Sequence, residues 1–166
     1  TTTRAETAED IEAARALMRQ YLTWVMFEIA TTADVLEHCA PELASLPGAY
    51  AAPSGCLLLA RLDGRPVGCV AFRAKVATTM EVRRMYVSPE ARGRGVGGRL
   101  LERLLSEAEA TGYRRCLLST HHTMRSAQAV YHRAGFRRLP PPADHPGAMA
   151  GKALFMELVL ESEAVS

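Results

Sequence analysis

The chain has 166 residues, of which 48% are hydrophobic and 23% are charged, and its formal net charge is +2 at pH 7. A composition of this kind is typical of one globular domain and excludes a collagenous, repetitive or disordered chain. The 20 basic and 18 acidic residues nearly balance, which argues against a broad nucleic-acid surface. No apolar run approaches the ~18 residues of a membrane-spanning helix. We therefore expect a single domain over residues 1–166 that binds neither nucleic acid nor a membrane.

The cysteines predict a reducing environment. Cys39, Cys56, Cys69 and Cys116 are scattered without a Cys-x-x-Cys pair, so neither a zinc site nor a disulfide framework is expected. The opening segment, Thr1–Glu6, is polar and lacks the apolar stretch of a secretory signal. We expect a cytoplasmic protein that holds no metal ion.

The N-terminal part predicts one long helix followed by an irregular stretch. Thr7 can cap a helix with Asp10 at the capping-box position, and apolar residues then recur at helical spacing as far as Val25. From residue 31 to residue 50 the signals are mixed, with room for one or two short helices before a loop at Pro47-Gly48.

Three strands are predicted next. The turn signal Asp63-Gly64 separates two apolar runs, 56–60 and 67–72, which is the pattern of a β-hairpin. The segment 81–87 predicts a third strand.

The second half alternates between helices and strands. After a glycine-rich run over 92–98, leucines at helical spacing predict a long helix that ends at Gly112. Alternation of this kind predicts a parallel strand pair joined by a crossover helix. The last strand is apolar and is the candidate sheet edge for a homodimer. The later elements are predicted as a strand over 115–119, a helix over 126–134, a strand from Phe136, a proline-rich loop over 140–147 and the last strand over 153–160.

The glycine-rich run between a strand and a helix is the strongest chemical signal. Successive glycines let backbone N–H groups converge on one point, and the helix start adds unpaired N–H donors and the positive end of its dipole. Arg92, Arg94 and Arg99 add positive charge, which suits a diphosphate. The alternative is that the glycines only form a tight turn.

Gly93, Gly95 and Gly98 also satisfy the dinucleotide pattern G-x-G-x-x-G, which leaves a nicotinamide-dependent oxidoreductase as an alternative. A dinucleotide site requires the first glycine directly after the strand and an acid at the end of the next strand. Here 88–91 intervenes, and the next strand ends at Ser119-Thr120. The sequence therefore favours another phosphate-bearing ligand.

The run 92–97 also fits Q/R-x-x-G-x-G/A, the acetyl-CoA motif of the GNAT N-acetyltransferase superfamily, which the chain resembles. The segments 82–89 and 127–136 resemble that family's central strand and its A-x-x-x-Y-x-x-x-G-F segment. The resemblance implies an α/β (mixed α+β) fold with a central mixed, mostly antiparallel sheet of about six or seven strands. One splayed parallel pair and about four flanking helices complete that fold. The implied CoA-binding core spans about 81–136.

The resemblance implies acetyl-CoA as the acetyl donor. Its pantetheine arm would lie in the gap between the splayed strands, and its diphosphate on the N–H groups of the loop. The cofactor-binding residues so implied are Met85, Val87, Arg92, Gly93, Arg94, Gly95, Val96, Gly97, Gly98 and Arg99.

The family's activity is acetyl transfer to a primary amine of a small molecule or peptide, by direct attack in a ternary complex. Tyr131 matches the tyrosine that serves as general acid, and a phenol can protonate a leaving thiolate at neutral pH. Glu81 matches a general base, although it can equally be an ion-pair partner of Arg83 with water as the base. Met124 replaces a frequent Asn, which keeps a non-catalytic acyl-CoA sensor as an alternative.

The acceptor pocket is expected from the segments 24–50 and 140–152. His121 and His122 are expected to be loop residues whose side chains point to opposite sides, which makes a poor metal site. The acids that can steer an amine, or simply be solvated, are Glu28, Asp34, Glu37 and Asp144.

Overall fold

A computed structural model of the chain describes residues 1–28, 34–142 and 153–160. Short 3₁₀ helices cover Gly48–Tyr50 and Pro89–Ala91. The strands are β1 (Thr2–Arg4), β2 (Cys56–Leu62), β3 (Arg65–Val76), β4 (Thr79–Val87), β5 (Arg115–His121), β6 (Arg137–Leu139) and β7 (Ala153–Val159). The α-helices are α1 (Ala8–Glu28), α2 (Asp34–Ala44), α3 (Val96–Thr111) and α4 (Arg125–Arg133).

The local sequence signals for a helix start, a helix end and a hairpin turn each match the structure. The Asp10 N–H donates to Thr7 Oγ1 at 3.1 Å while the Thr7 N–H donates to Asp10 Oδ2 at 3.2 Å, so the predicted capping box starts α1. Gly112 ends α3 in a left-handed conformation, with φ of 102°. Asp63 and Gly64 both have positive φ, as a tight hairpin turn requires, and they connect β2 to β3.

The structure differs from the sequence prediction at the first strand. β1 carries the polar segment Thr2–Arg4, which has no strand pattern, yet it pairs antiparallel with Leu58–Ala60 of β2. Its backbone partners come from another part of the chain, so no local signal announces it.

The sheet order is β1-β2-β3-β4-β5-β7-β6, and β4–β5 is the one parallel pair among the described strands. This confirms the mostly antiparallel mixed sheet with one parallel pair and four helices. A dinucleotide-binding sheet is mostly parallel, so the oxidoreductase alternative is wrong.

The expected place for a homodimer edge is also wrong. β7 pairs with β5 on one side and β6 on the other, and therefore lies inside the sheet. The edges of the described sheet are β1 and β6, which have three residues each and mostly polar side chains. Short polar edges of this kind discourage pairing with another chain.

β4 and β5 separate soon after they meet. Their pairing covers Thr79–Glu81 and Arg115–Leu117, and both strands continue beyond it. The remainder of β4, from Val82 to Val87, stays paired with β3 on its other side. The predicted splayed parallel pair is thus present.

A β-bulge lies in the part of β4 that has left β5. The pairing of β3 with β4 jumps from Ala71–Arg83 to Cys69–Tyr86, so β4 contains one residue more than β3 across this step. Arg84 lies in the bulge with φ of 59°, a backbone conformation that is uncommon for a residue with a side chain. A bulge of this kind bends a strand and changes the side to which its side chains point.

The helices cover both faces of the sheet. α1 and α2 pack on one face through residues such as Met18, Leu22 and Leu43, and α3 and α4 pack on the other. The leucines predicted as the apolar stripe of α3, including Leu100 and Leu104, are fully buried. No helix in the described ranges is both long and apolar enough to span a membrane.

Candidate active site

A cavity of about 240 Å³ lies between β4 and β5 where the two strands separate. A second cavity, of about 200 Å³, lies beside β1 and contains none of the predicted site residues. The first cavity is lined by Tyr21 of α1, residues 82–85 of β4, Ser119 and Thr120 of β5, and Met124, Ala127 and Tyr131 at the start of α4 and along it.

Tyr131 is one of the residues that line this cavity. Its side chain packs against Phe136, with the ring centroids 5.8 Å apart, and the residue is only 5% exposed. Burial raises the pKa of the phenol above its ordinary value of 10. Tyr131 therefore holds its proton firmly at neutral pH, next to the opening between the strands.

The glycine-rich loop leads into α3 beside β4. Gly93 and Gly95 have φ of 79° and 75°, the left-handed conformation that favours glycine, and Gly95 is the residue directly before α3. The Arg99 N–H donates to the Gly95 carbonyl at 3.1 Å, which closes the first turn of the helix. The N–H groups that precede Arg99 in this turn have no acceptor within the helix and are available to an anion.

The first turn of α3 also lies close to β4. A Cβ built on Gly97 would be 3.2 Å from Met85 Cε and 3.7 Å from Val87 Cγ2. A larger residue at position 97 would thus crowd the two β4 side chains predicted to flank the cofactor.

The arginines of the loop contact the protein itself. Arg92 donates from Nε to the Val87 carbonyl at 3.0 Å, and its Cζ lies 5.5 Å from the centre of the Trp24 ring and 5.9 Å from that of Tyr86. Arg99 donates from Nη2 to the Arg94 carbonyl at 3.0 Å. The exposed Arg92 and Arg94 keep the loop positively charged.

Glu81 lies at the last position of β4 that pairs with β5, and it is not among the residues that line the cavity. Its carboxylate accepts hydrogen bonds from Arg73 at 3.1 Å, Lys75 at 3.0 Å and Arg83 at 3.1 Å. Burial alone would raise the pKa of Glu81, but Lys75 and Arg83 lower it below its usual 4.5. The predicted ion pair with Arg83 is present.

Glu42 is a site residue that the sequence analysis missed. It lies on α2 and accepts from Arg84 Nε at 2.7 Å and from the Tyr50 hydroxyl at 2.8 Å, with Arg83 Nη2 at 3.8 Å. Burial opposes its ionisation, but Arg84 and the Tyr50 hydroxyl lower the pKa of Glu42. No local pattern reveals this pairing, because 42 residues separate Glu42 from Arg84.

The turn between β5 and α4 is held by side chains that the sequence analysis did not identify. Gln128 Nε2 donates to the carbonyls of His121 at 3.0 Å and His122 at 3.2 Å. Met124 lies at the N-cap position of α4, but its side chain makes no capping hydrogen bond. Its Sδ instead accepts from Thr120 Oγ1 at 3.5 Å. Met124 thus takes part in the turn through a weak sulfur acceptor.

The expectation that His121 and His122 point to opposite sides is wrong. Their ring centroids are 4.4 Å apart, because β5 ends at His121 and strand alternation does not continue into the turn. The described ranges contain no group of three or more His, Cys, Asp and Glu that could hold a metal ion.

The predicted acceptor segments are only partly described. Within them Trp24 contacts Arg92, Glu42 binds the arginines of β4, and Glu37 is exposed. Residues 29–33 and 143–152, including Asp144, lie outside the described residues, as do the side chains of Glu28 and Asp34.

A mixed sheet that opens beside a glycine-rich helix start defines a class of acyl-CoA-binding transferases. The profile of the acetyltransferase (GNAT) family matches residues 18–136, more than half of the chain. The chain belongs to this family, as the sequence resemblance implied. It is therefore an acyltransferase of the N-acetyltransferase type, whose acetyl donor is acetyl-CoA.

Three similar proteins carry related names. An uncharacterised N-acetyltransferase of Schizosaccharomyces pombe is 29% identical over 140 residues, which cover 83% of each chain. The N-acetylaspartate synthetase of Danio rerio is 32% identical over 106 residues, and this match covers 63% of the present chain but only 38% of the synthetase. The PaiA N-acetyltransferase of Thermoplasma acidophilum, solved in complex with coenzyme A, has the same fold with 20% identity. Its TM-score is 0.75 over 96% of this chain and 99% of that one.

The residues present fit acetyl-CoA. The open side of β4 can pair with an extended arm, and the N–H groups before α3 can bind a diphosphate, while the lack of a Cβ at Gly97 lets the start of α3 pack against Met85 and Val87. The cavity containing Tyr131 lies along the same opening.

We expect Glu42→Gln to destabilise the protein by about 3 kcal/mol, because Arg84 is left as a buried charge without its carboxylate. The pKa of Glu42 is lowered on folding, so its stabilisation is present above pH 4.5 and is lost as the pH falls below that value. Urea unfolding at pH 7 and at pH 4 measures both effects. Glu37→Gln, an exposed change on the same helix, is the control and costs less than about 0.5 kcal/mol. Equal stability of the two variants at pH 7 contradicts this account of the ion pair.

Proposed function

We propose that the chain transfers the acetyl group of acetyl-CoA to a primary amine of a small molecule or peptide, by direct attack within a ternary complex. The observation that carries this proposal is the cavity between β4 and β5, where a buried phenol faces the open part of β4. The name of the Danio rerio relative, N-acetylaspartate synthetase, supports an amine acceptor.

In this proposal β4 would hold the pantetheine arm of the cofactor, and the loop before α3 would hold its diphosphate. The backbone of Met85 and Val87 holds the pantetheine arm in place of the strand partner that β5 does not supply. The diphosphate binds N–H groups of the segment from Arg92 to Gly97, in which the Arg92 N–H itself donates to the Pro89 carbonyl at 3.3 Å, with Gly98 and Arg99 in the first turn of α3 behind it.

Bound acetyl-CoA supplies an activated thioester carbonyl and a thiolate leaving group. Tyr131 holds a proton on its hydroxyl and donates it to the departing sulfur, so that the C–S bond breaks as the C–N bond forms. The raised pKa of Tyr131 keeps the phenol protonated at neutral pH, so the proton is present when the thiolate develops. Positioning of the amine and the thioester next to each other in the gap between β4 and β5 supplies much of the remaining rate enhancement.

The amine must lose a proton before or during attack. The role of Glu81 as general base for the amine stays a prediction. The contacts of Glu81 support the other interpretation, in which it is an ion-pair partner of Arg83 and water is the base. Three cations neutralise its carboxylate, and a lowered pKa makes it a weak base. We further propose a single domain that works in the cytoplasm, alone or as a homodimer.

Gly95→Val is expected to abolish stabilisation by acetyl-CoA, because a β-branched side chain at this positive φ both strains the loop and fills the anion site. In the parent protein, acetyl-CoA at about 100 times its dissociation constant adds roughly 2.7 kcal/mol of stability, a shift of several degrees in thermal unfolding. Gly64→Val is the matched control, because Gly64 has φ of 78° in a hairpin turn with open space around it. A Gly95 variant with an unchanged dissociation constant overturns the assignment of the loop.

Tyr131→Phe is expected to lower kcat by about 100-fold or more while the KM for acetyl-CoA changes less than about threefold, because only the proton donor is removed. Release of CoA thiol during turnover is the measurement. Tyr113→Phe is the control. It removes a phenol outside the cavity lining, whose hydroxyl donates to the Ser54 carbonyl at 2.6 Å, and it should keep full turnover. Full turnover by Tyr131→Phe excludes the acid role. Tight binding of acetyl-CoA without any turnover in the parent protein would instead indicate a sensor.

Glu81→Gln separates the two interpretations of that carboxylate. An ion-pair partner predicts a loss of kcat below about tenfold and an unchanged pH profile, whereas a general base predicts a loss of about 100-fold or more. Glu157→Gln is the control, because Glu157 also joins two arginines, Arg115 and Arg137, away from the cavity. A loss of 100-fold in the Glu81 variant alone would establish the base.

A further inference from the structure

The bulge in β4 places two consecutive arginines on one side of the sheet. In a regular strand, neighbouring side chains point to opposite faces. Arg83 and Arg84 instead both approach Glu42 on α2, because the backbone at Arg84 has a positive φ. Both arginines line the cavity that contains Tyr131.

The charges around this arginine pair do not cancel. Four cationic side chains share two carboxylates in this ion-pair cluster, which leaves an excess of two positive charges, and two of the four cations, Arg83 and Arg84, line the cavity. Both carboxylates have lowered pKa values and are ionised at neutral pH, so they are already counted at full charge. The cations are Arg73, Lys75, Arg83 and Arg84, and the carboxylates are Glu42 and Glu81.

The two arginines differ in how many donors remain. Arg84 donates to Glu42 and contacts Cys39 Sγ at 3.6 Å, and its side chain is only 13% exposed. Arg83 uses one donor, Nη1, for Glu81, while Glu42 lies beyond hydrogen-bond distance at 3.8 Å. A guanidinium has five N–H donors, and the Arg83 side chain is 27% exposed. Most of these donors therefore have no acceptor among the described residues.

The rest of the cavity suits an anionic, hydrogen-bonding guest of small size. Ser119 and Thr120 contribute hydroxyls, and no acidic residue is among the described residues that line the cavity. Its volume of about 240 Å³ is below the roughly 300–1,000 Å³ of pockets for drug-sized ligands and must also admit the acetyl end of the donor, which leaves space only for a small acceptor.

We propose that the acceptor amine is a small molecule that also carries a carboxylate, and that Arg83 binds this carboxylate while Arg84 and Glu42 hold Arg83 in position. The inference rests on the proposed acetyl transfer and adds the charge of the acceptor. A guanidinium binds a carboxylate through two parallel hydrogen bonds, which would fix the orientation of the amine as well as its affinity. Tyr131 lines the same cavity, so a small acceptor held by Arg83 remains near the reacting atoms.

The test compares free L-amino acids with their own α-carboxamides as acceptors, with CoA thiol release and mass spectrometry of the N-acetyl product as readouts. The α-amine of an amide is less basic and therefore more often deprotonated at neutral pH, so chemistry alone favours the amide. We expect the acid of the preferred pair to have a kcat/KM at least about tenfold above that of its amide.

Variants connect this preference to one side chain. Arg83→Gln should raise the KM for the acid at least about tenfold and bring the ratio of acid to amide close to one, without changing the KM for acetyl-CoA. Arg83→Lys should restore part of the preference, because it keeps the charge without the planar fork. Arg65→Gln removes an exposed arginine at the start of β3 and should leave the ratio unchanged.

Three results overturn the inference, and they separate it from the proposed function. Acetylation of amides as fast as acids, or an unchanged ratio in Arg83→Gln, removes the carboxylate site and leaves acetyl transfer intact. Stabilisation of the protein by acetyl-CoA with no acetylation of any acid or amide removes the acceptor class and leaves the cofactor assignment intact. Neither stabilisation by acetyl-CoA nor release of CoA thiol removes the proposed function together with the inference.

Discussion

The candidate site depends on a parallel strand pair that stays together for only three residues on each strand. β4 and β5 pair over Thr79–Glu81 and Arg115–Leu117, and beyond that point the bulge at Arg84 bends β4 while α4 follows β5. A sheet edge inside a protein is normally paired, because unpaired N–H and C=O groups are costly when buried. Here the open edge is available to a ligand, and the start of α3 brings further N–H donors to the same side.

The same bulge sets the electrostatics of the gap. Two arginines on one face repel each other, and the fold compensates with carboxylates that come from α2 and from β4 itself. A buried carboxylate and guanidinium stabilise each other only when both are present, which ties α2 to the wall of the cavity. Because cations outnumber carboxylates in this cluster, the proposed carboxylate site needs no further change in structure.

Signals that are local in sequence predicted their elements well. The capping box at Thr7, the turn at Asp63-Gly64 and the leucine stripe of α3 each depend on residues within one or two turns of the chain. β1 and the interior place of β7 could not be predicted in this way, because backbone pairing with distant strands creates them. The ring contact between His121 and His122 arises where β5 stops, a boundary that the residue pattern did not mark.

The sequence by itself determined the glycine-rich loop, the family resemblance and Tyr131, because fixed spacings between a strand, a loop and two helices carry them. Only the tertiary structure decided that Tyr131 is buried beside the gap, that Glu81 is neutralised by three cations, and that Glu42 binds Arg84. Apart from the contact of Glu81 with Arg83, these contacts join residues on different elements, and they follow from strand register and, for Arg84, from one extra residue in β4. A pattern of residue types does not encode such a register shift, so the arrangement of charges around the cavity emerges only when the strands are paired.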